Sequence, residues 1–203
     1  MERRTVLPRD PSPEDQIVFE DIAASLGFGV VPNFFRYQAG TFLLAASWSV
    51  VRAILVAEHL VARVLKEAIV IAISRATRCR YCELAHLALC TRLDYEDQLT
   101  DQMEFTGRDA ALIELGVLIA IDKTSHDVER LCTRHVVTAA EYQELVSLAA
   151  LSLYLNTIAD GLGIPIDPDL AAQAALGASD HALMAILDKL DQTIAIVQRM
   201  PES

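Results

Sequence analysis

Apolar residues recur at helical spacing along almost the whole chain, and no run alternating with period two competes with that pattern. Pro8, Pro11 and Pro13 make residues 1–12 an extended arm. Ser12-Pro13-Glu14-Asp15 reads as a helix start, with a Ser cap, Pro at the first position and acids in the first turn. Gly27 ends that helix and 28–33 reads as a loop. Helices are predicted over 41–59, 61–76 and 79–92. A short acidic helix follows over 94–103, then a break at Gly107 and helices over 108–123 and 127–133. Thr138 with Glu141 three residues on is a capping box for a helix that runs to Gly161 or Gly163. Pro165 and Pro168 form a loop, and Ser179 opens a last amphipathic helix to about residue 200. The expected fold is all-α, with one helical domain over 13–163 and a helical extension, 164–203, packed on the same domain. There is no internal repeat and no low-complexity tract.

Composition changes the picture in three ways. Of 203 residues 53% are apolar, and mean hydropathy is +0.31, which excludes a disordered chain. That is more apolar surface than one small core needs, so a homo-oligomer is expected. The formal net charge is −11 with no basic block, which excludes a nucleic-acid binder, because phosphate contacts need clustered Lys and Arg. There are 8 Gly and no Gly-rich phosphate loop, so nothing in the chain supports nucleotide binding. No cofactor is expected. The longest uncharged apolar stretches, 37–51 and 145–159, have 15 residues each. A membrane span needs about 20, so they read as buried helices and no membrane partner is expected. Residues 1–15 are charged and Pro-rich rather than signal-like, which places the chain in the cytoplasm, where thiols stay reduced. Four cysteines there are not a disulfide scaffold, and the C-x-x-C pair Cys79 and Cys82 means redox chemistry or metal.

The chemistry concentrates between residues 67 and 86. Each helical residue turns roughly 100°, so Cys79, Cys82 and His86 fall within about 60° of one another on one helix face. Cys79 stands near the helix start, where unpaired N–H groups favour a thiolate. Cys82 and His86, at i and i+4, can share a proton, the arrangement of an activated thiol. Glu67, on the preceding helix, is followed by seven uncharged residues. Burial there would raise its pKa and make it a candidate base, and a fold-back near Arg78 would bring it beside His86.

Competing readings exist for each residue. Cys79 and Cys82 could be structural thiols, or zinc ligands with His86 and Cys90. Against zinc, eleven residues of helix span roughly 16 Å, whereas tetrahedral zinc needs every ligand within about 2.0–2.3 Å. Cys90 could be a core residue or a third redox thiol. Glu67 could form a surface ion pair with Arg63, and His86 could be a core histidine. Cys132, beside Arg134 and His135, could be reactive or incidental. Asn156, in an apolar helix, reads as an interhelical hydrogen-bonder.

Glu-x11-Cys-x2-Cys-x3-His, from Glu67 through Cys79 and Cys82 to His86, resembles the signature of the alkylhydroperoxidase D-like family, part of the carboxymuconolactone decarboxylase superfamily. Val31-Pro32-Asn33-Phe34-Phe35 and the overall length look most like its peroxidase-related branch. The resemblance is sharp over about 30–92 and diffuse to about 163. It implies an all-helical, oligomeric fold and a thiol-dependent hydroperoxide reductase. It makes Cys82 the peroxidatic cysteine, Cys79 the resolving one, Glu67 the base and His86 the proton relay. The implied partners are a small hydroperoxide substrate and an external dithiol reductant. Where the family's namesake enzymes often carry His just before the second cysteine, this chain has Tyr81, a hydrogen-bond donor but a poor base near neutral pH. The decarboxylase branch does not rely on the cysteine pair, so its presence counts against lactone decarboxylation. A non-catalytic redox sensor or dithiol carrier, and a related lyase, are the alternatives.

Overall fold

A computed structural model describes residues 7–27, 29–92, 107–121 and 126–177, with 188 and 191. The expected helices over 94–103 and 179–200 lie outside or almost wholly outside these residues, as do 1–6 of the arm. Among the described residues there are helices and no strands.

Helix α1 is Pro13–Leu26. Ser12 Oγ accepts the Asp15 N–H at 3.1 Å and Asp15 Oδ2 accepts the Ser12 N–H at 2.9 Å, a reciprocal capping box. Gly27 closes the helix at φ 71°, a left-handed conformation that costs glycine little. The expected loop at 28–33 gives way to a short helix, α2, Asn33–Arg36.

Helix α3, Phe42–Val51, continues as one π-helical turn, Arg52–Val56, and ends before the expected boundary at 59. The reason is a buried cation. Lys66 Nζ donates to the carbonyls of Ile54 (3.0 Å) and Ala57 (2.9 Å) and pairs with Glu144 Oε1 at 2.7 Å. Glu144 Oε2 also accepts the N–H groups of Leu60 and Val61, which fixes the turn before the next helix.

Helix α4, Arg63–Ala76, is the central element, with every residue from Arg63 to Ser74 buried. Helix α5 is Arg80–Arg92 and α6 is Gly107–Ile121. Gly116 on α6 lies against α4, where an added Cβ would come within 2.6 Å of Ile69 Cγ2. Helix α7 is His126–Arg134.

Helix α8, Ala139–Leu162, has the expected capping box from Thr138 and Glu141 and ends at Gly163. By length and composition it could cross a membrane, but it packs on α4, α5 and α6 and buries Leu145, Leu148, Leu151 and Leu155. Helix α9, Pro168–Gly177, replaces part of the expected loop. Its proline stands at the first helical position, where the missing N–H has no intrahelical role. It lies along α5 and buries Leu170 and Ala174.

Candidate active site

Helices α4 and α5 fold back on each other through Thr77–Cys79, with Arg78 at φ 62°. Cys79 therefore precedes α5 rather than lying within it. Its N–H donates to Ser74 O at 2.9 Å, and its carbonyl accepts the first helical bond, from Glu83 N–H, at 3.1 Å. Cys79 is thus the N-cap residue and Cys82 the third residue of the helix. That is the spacing at which a capping side chain faces the N–H of the third helical residue. The Cys82 thiol, and then its backbone N–H, hydrogen-bond Cys79 and hold its pKa below the usual thiol value, against burial and the nearby Asp160. The Cys82 thiol is pushed well up: it donates to Cys79, it is buried, and it faces the charges of Cys79 and Asp160. Both thiols are buried and no disulfide joins them.

The fold-back brings Glu67 to His86, whose Nδ1 lies 2.6 Å from Glu67 Oε2. The Arg63 Nε–H donates to the other carboxylate oxygen at 2.7 Å. Glu67 is fully buried and His86 nearly so. The Arg63 pair weighed for Glu67 is therefore real, but it is buried and coexists with the His86 contact. The expected upward shift of Glu67 is not found. Burial does press its pKa up, but His86 and Arg63 outweigh it and hold the carboxyl below the ordinary range. An ionised Glu67 only accepts hydrogen bonds, so Nδ1 of His86 carries the proton and Nε2 is left as the basic nitrogen.

A cavity of about 50 Å³ borders these groups. Cys82 and His86 form part of its wall, with Phe34, Leu55, Tyr81 and Leu155. Cys79 does not line it. A larger open groove, about 560 Å³, lies between the arm and α1 and contains none of the site residues.

Tyr81 does not point its hydroxyl at the thiols. It accepts the Phe34 N–H at 2.8 Å and donates to Asp167 Oδ2 at 3.2 Å, and Asp167 also accepts the Asn33 N–H. Burial and the Asp167 charge push the Tyr81 pKa well up. Asn156 fulfils its expected interhelical role: Nδ2 donates to Thr77 Oγ1 at 2.7 Å, and Oδ1 accepts from Ser74 Oγ at 3.1 Å.

Cys90 is buried farther along α5, and Cys132, half-buried on α7, has its thiol pKa raised by burial. Among the described residues no group of three or more His, Cys, Asp or Glu is placed to hold a metal ion. Sequence reasoning missed Asp160 and Asp167. Each acts on a residue some eighty positions away, and no local spacing signals such a contact.

No protein-family model matches the chain, and no curated protein matches it in sequence. Solved structures do match. An uncharacterized peroxidase-related protein from Silicibacter sp. TM1040 superposes with a TM-score of 0.70 at 18% identity, over 85% of this chain and 97% of that one. A second such protein, from Ralstonia eutropha JMP134 and described as an alkylhydroperoxidase AhpD core, gives 0.65 at 20% identity, over 82% and 96%. The fold is the alkylhydroperoxidase D-like fold. At these identities the likeness establishes architecture, and the chemistry has to be argued from the side chains of this chain.

Proposed function

We propose that the protein is a thiol-dependent hydroperoxide reductase working through Cys82 and Cys79. One observation carries the reading: Cys82 and His86 share the wall of an apolar cavity, and His86 is held from behind by a buried, ionised Glu67. This is the nucleophile, base and orienting carboxylate of an activated thiol. Glu67 acts here by orienting His86 and stabilising its protonated form, a change from the role of base that the sequence suggests.

At rest the charge is favoured on Cys79, so Cys82 has to lose its proton as substrate arrives. His86 Nε2 takes it. The Cys82 thiolate attacks the distal peroxide oxygen, the O–O bond breaks, and the departing alkoxide leaves as alcohol with the proton from His86. Cys82 is then a sulfenic acid. Cys79 condenses with it, releasing water and forming the Cys79–Cys82 disulfide, which an external dithiol reduces. The apolar wall and the small volume, about 50 Å³, suit a small hydroperoxide rather than a bulky one.

Peroxide turnover with several dithiol donors tests the reading. Continuous consumption by the wild type is expected, with Cys82→Ser inert and Cys79→Ser stopping after one equivalent. A wild type that oxidises once and stops is a sensor or carrier rather than a peroxidase. Thiol-independent activity on a lactone would point to a lyase.

A further inference from the structure

Lys66 is a fully buried cation on α4 that takes no part in the chemistry at Cys82. A buried charge costs stability unless it is paired and hydrogen-bonded, so its partners show what it holds. Its Nζ donates to Ile54 O at 3.0 Å and Ala57 O at 2.9 Å, and pairs with Glu144 Oε1 at 2.7 Å. The two carbonyls stand on either side of Leu55, in the π-helical turn that ends α3. The Ala57 N–H closes that turn on Arg52 O at 3.0 Å, five residues back instead of the four of an α-helix. Leu55 is 1% exposed and walls the cavity together with Cys82 and His86. That cavity, about 50 Å³, holds only a few heavy atoms, since a single water needs about 10–15 Å³. Leu55 thus stands on a turn of unusual geometry that is held on both sides by a cation from another helix. The turn cannot move aside without breaking those contacts.

We infer that Leu55 determines which hydroperoxides reach Cys82, and that Lys66 is the residue that positions it. The inference rests on the thiol-peroxidase reading and names the substrate class of that site. The class is hydrogen peroxide and short alkyl hydroperoxides, with bulky aryl hydroperoxides excluded. For attack, the distal peroxide oxygen has to meet Cys82 Sγ. The group on the other oxygen must then fit in what is left of the cavity. An ethyl group is small enough for that space, whereas a cumyl group needs the volume that the Leu55 side chain fills. Phe34, on the same wall, is tied through its N–H to the Tyr81 hydroxyl. Lys66 does the same for Leu55 through the carbonyls beside it.

Steady-state turnover of hydrogen peroxide, ethyl hydroperoxide and cumene hydroperoxide with one dithiol donor reads the selectivity as ratios of kcat/KM. The wild type is expected to prefer ethyl over cumene hydroperoxide. Leu55→Ala is expected to lower that preference about tenfold or more. One methylene in an apolar pocket is worth about 10–200-fold, and this change cuts an isobutyl group to a methyl. Leu55→Phe is expected to act in the other direction, losing ethyl hydroperoxide before hydrogen peroxide. Lys66→Met combined with Glu144→Gln removes both charges, so that no buried ion is left unpaired. With Leu55 intact, this double variant is expected to lose much of the preference, a ratio that a general loss of folded protein would not move. A wild type without the preference, or an unchanged preference in Leu55→Ala or in the double variant, overturns the inference while leaving the peroxidase reading standing. A wild type that consumes none of the three peroxides overturns the peroxidase reading, and this inference with it.

Discussion

Tyr81, the residue between Arg80 and Cys82, reaches from the start of α5 to Asp167, donating its hydroxyl to Oδ2 at 3.2 Å. The Tyr81 hydroxyl oxygen accepts the buried N–H of Phe34, which walls the cavity at Cys82. The tyrosine thus serves as a strut where a relay would need a base. Tyr81→Phe keeps the ring but leaves the Phe34 N–H without its partner, a loss of about 1–3 kcal/mol. The expected result is a lower urea midpoint and a KM for hydroperoxide that rises more than kcat falls. A kcat loss with unchanged KM would make Tyr81 part of the proton path instead.

The 2.6 Å contact between His86 and Glu67 predicts that both are needed at the first step. Glu67→Gln and His86→Ala are expected to slow Cys82 oxidation at neutral pH by about 10²–10⁴-fold. Stopped-flow peroxide kinetics measure this. A loss below about threefold in both variants would remove the pair from the mechanism and leave activation to the helix end.

These residues also mark what was legible in the sequence. The spacing from Glu67 to His86 is written in the chain, because helical periodicity sets the faces and Arg78 sets the turn. The capping boxes of α1 and α8 were legible for the same local reason. The sign of the Glu67 shift was not, because it depends on whether His86 and Arg63 outweigh burial, and only their distances decide that. The early end of α3 was hidden too. It follows from Lys66, twelve residues on from Ile54, and from Glu144, much farther away.

Acid should unmask the Glu67 shift. Its folded-state pKa is below the unfolded value of about 4.3, so its stabilising contribution is complete above that pH and is lost as pH falls through the lower folded value. Asp167 is shifted the other way, chiefly by burial, so acidification favours its folded form. Urea midpoints from about pH 7 to about pH 3 should therefore fall less steeply in Glu67→Gln than in wild type, and more steeply in Asp167→Asn. Parallel curves for all three proteins would contradict both shifts.

Mild peroxide should link Cys79 to Cys82 and leave Cys132 free. The pair is three residues apart across the helix start, both buried, whereas Cys132 lies on α7 with a raised thiol pKa. Peptide mapping after one equivalent of peroxide checks this. A dominant bridge through Cys90 or Cys132 would overturn the assigned roles.

The remaining prediction concerns assembly. Ser47 Oγ and Tyr154 OH, 2.7 Å apart, join α3 to α8. Phe42, 82% exposed, and Val50 lie on α3, and Val146 lies on α8, all open to solvent. We propose that a second copy of the chain covers exposed apolar side chains such as Phe42 and that the protein is a homo-oligomer. The net charge of −11 opposes association, but repulsion between surface charges is screened beyond about 8 Å at physiological salt. Association should therefore strengthen as salt is raised and weaken in Phe42→Glu, which adds charge where the apolar contact is needed. Light scattering after size exclusion reads the mass. A 22.3 kDa species at micromolar concentration and physiological salt would overturn the prediction, and Phe42 would then be an apolar side chain left in water.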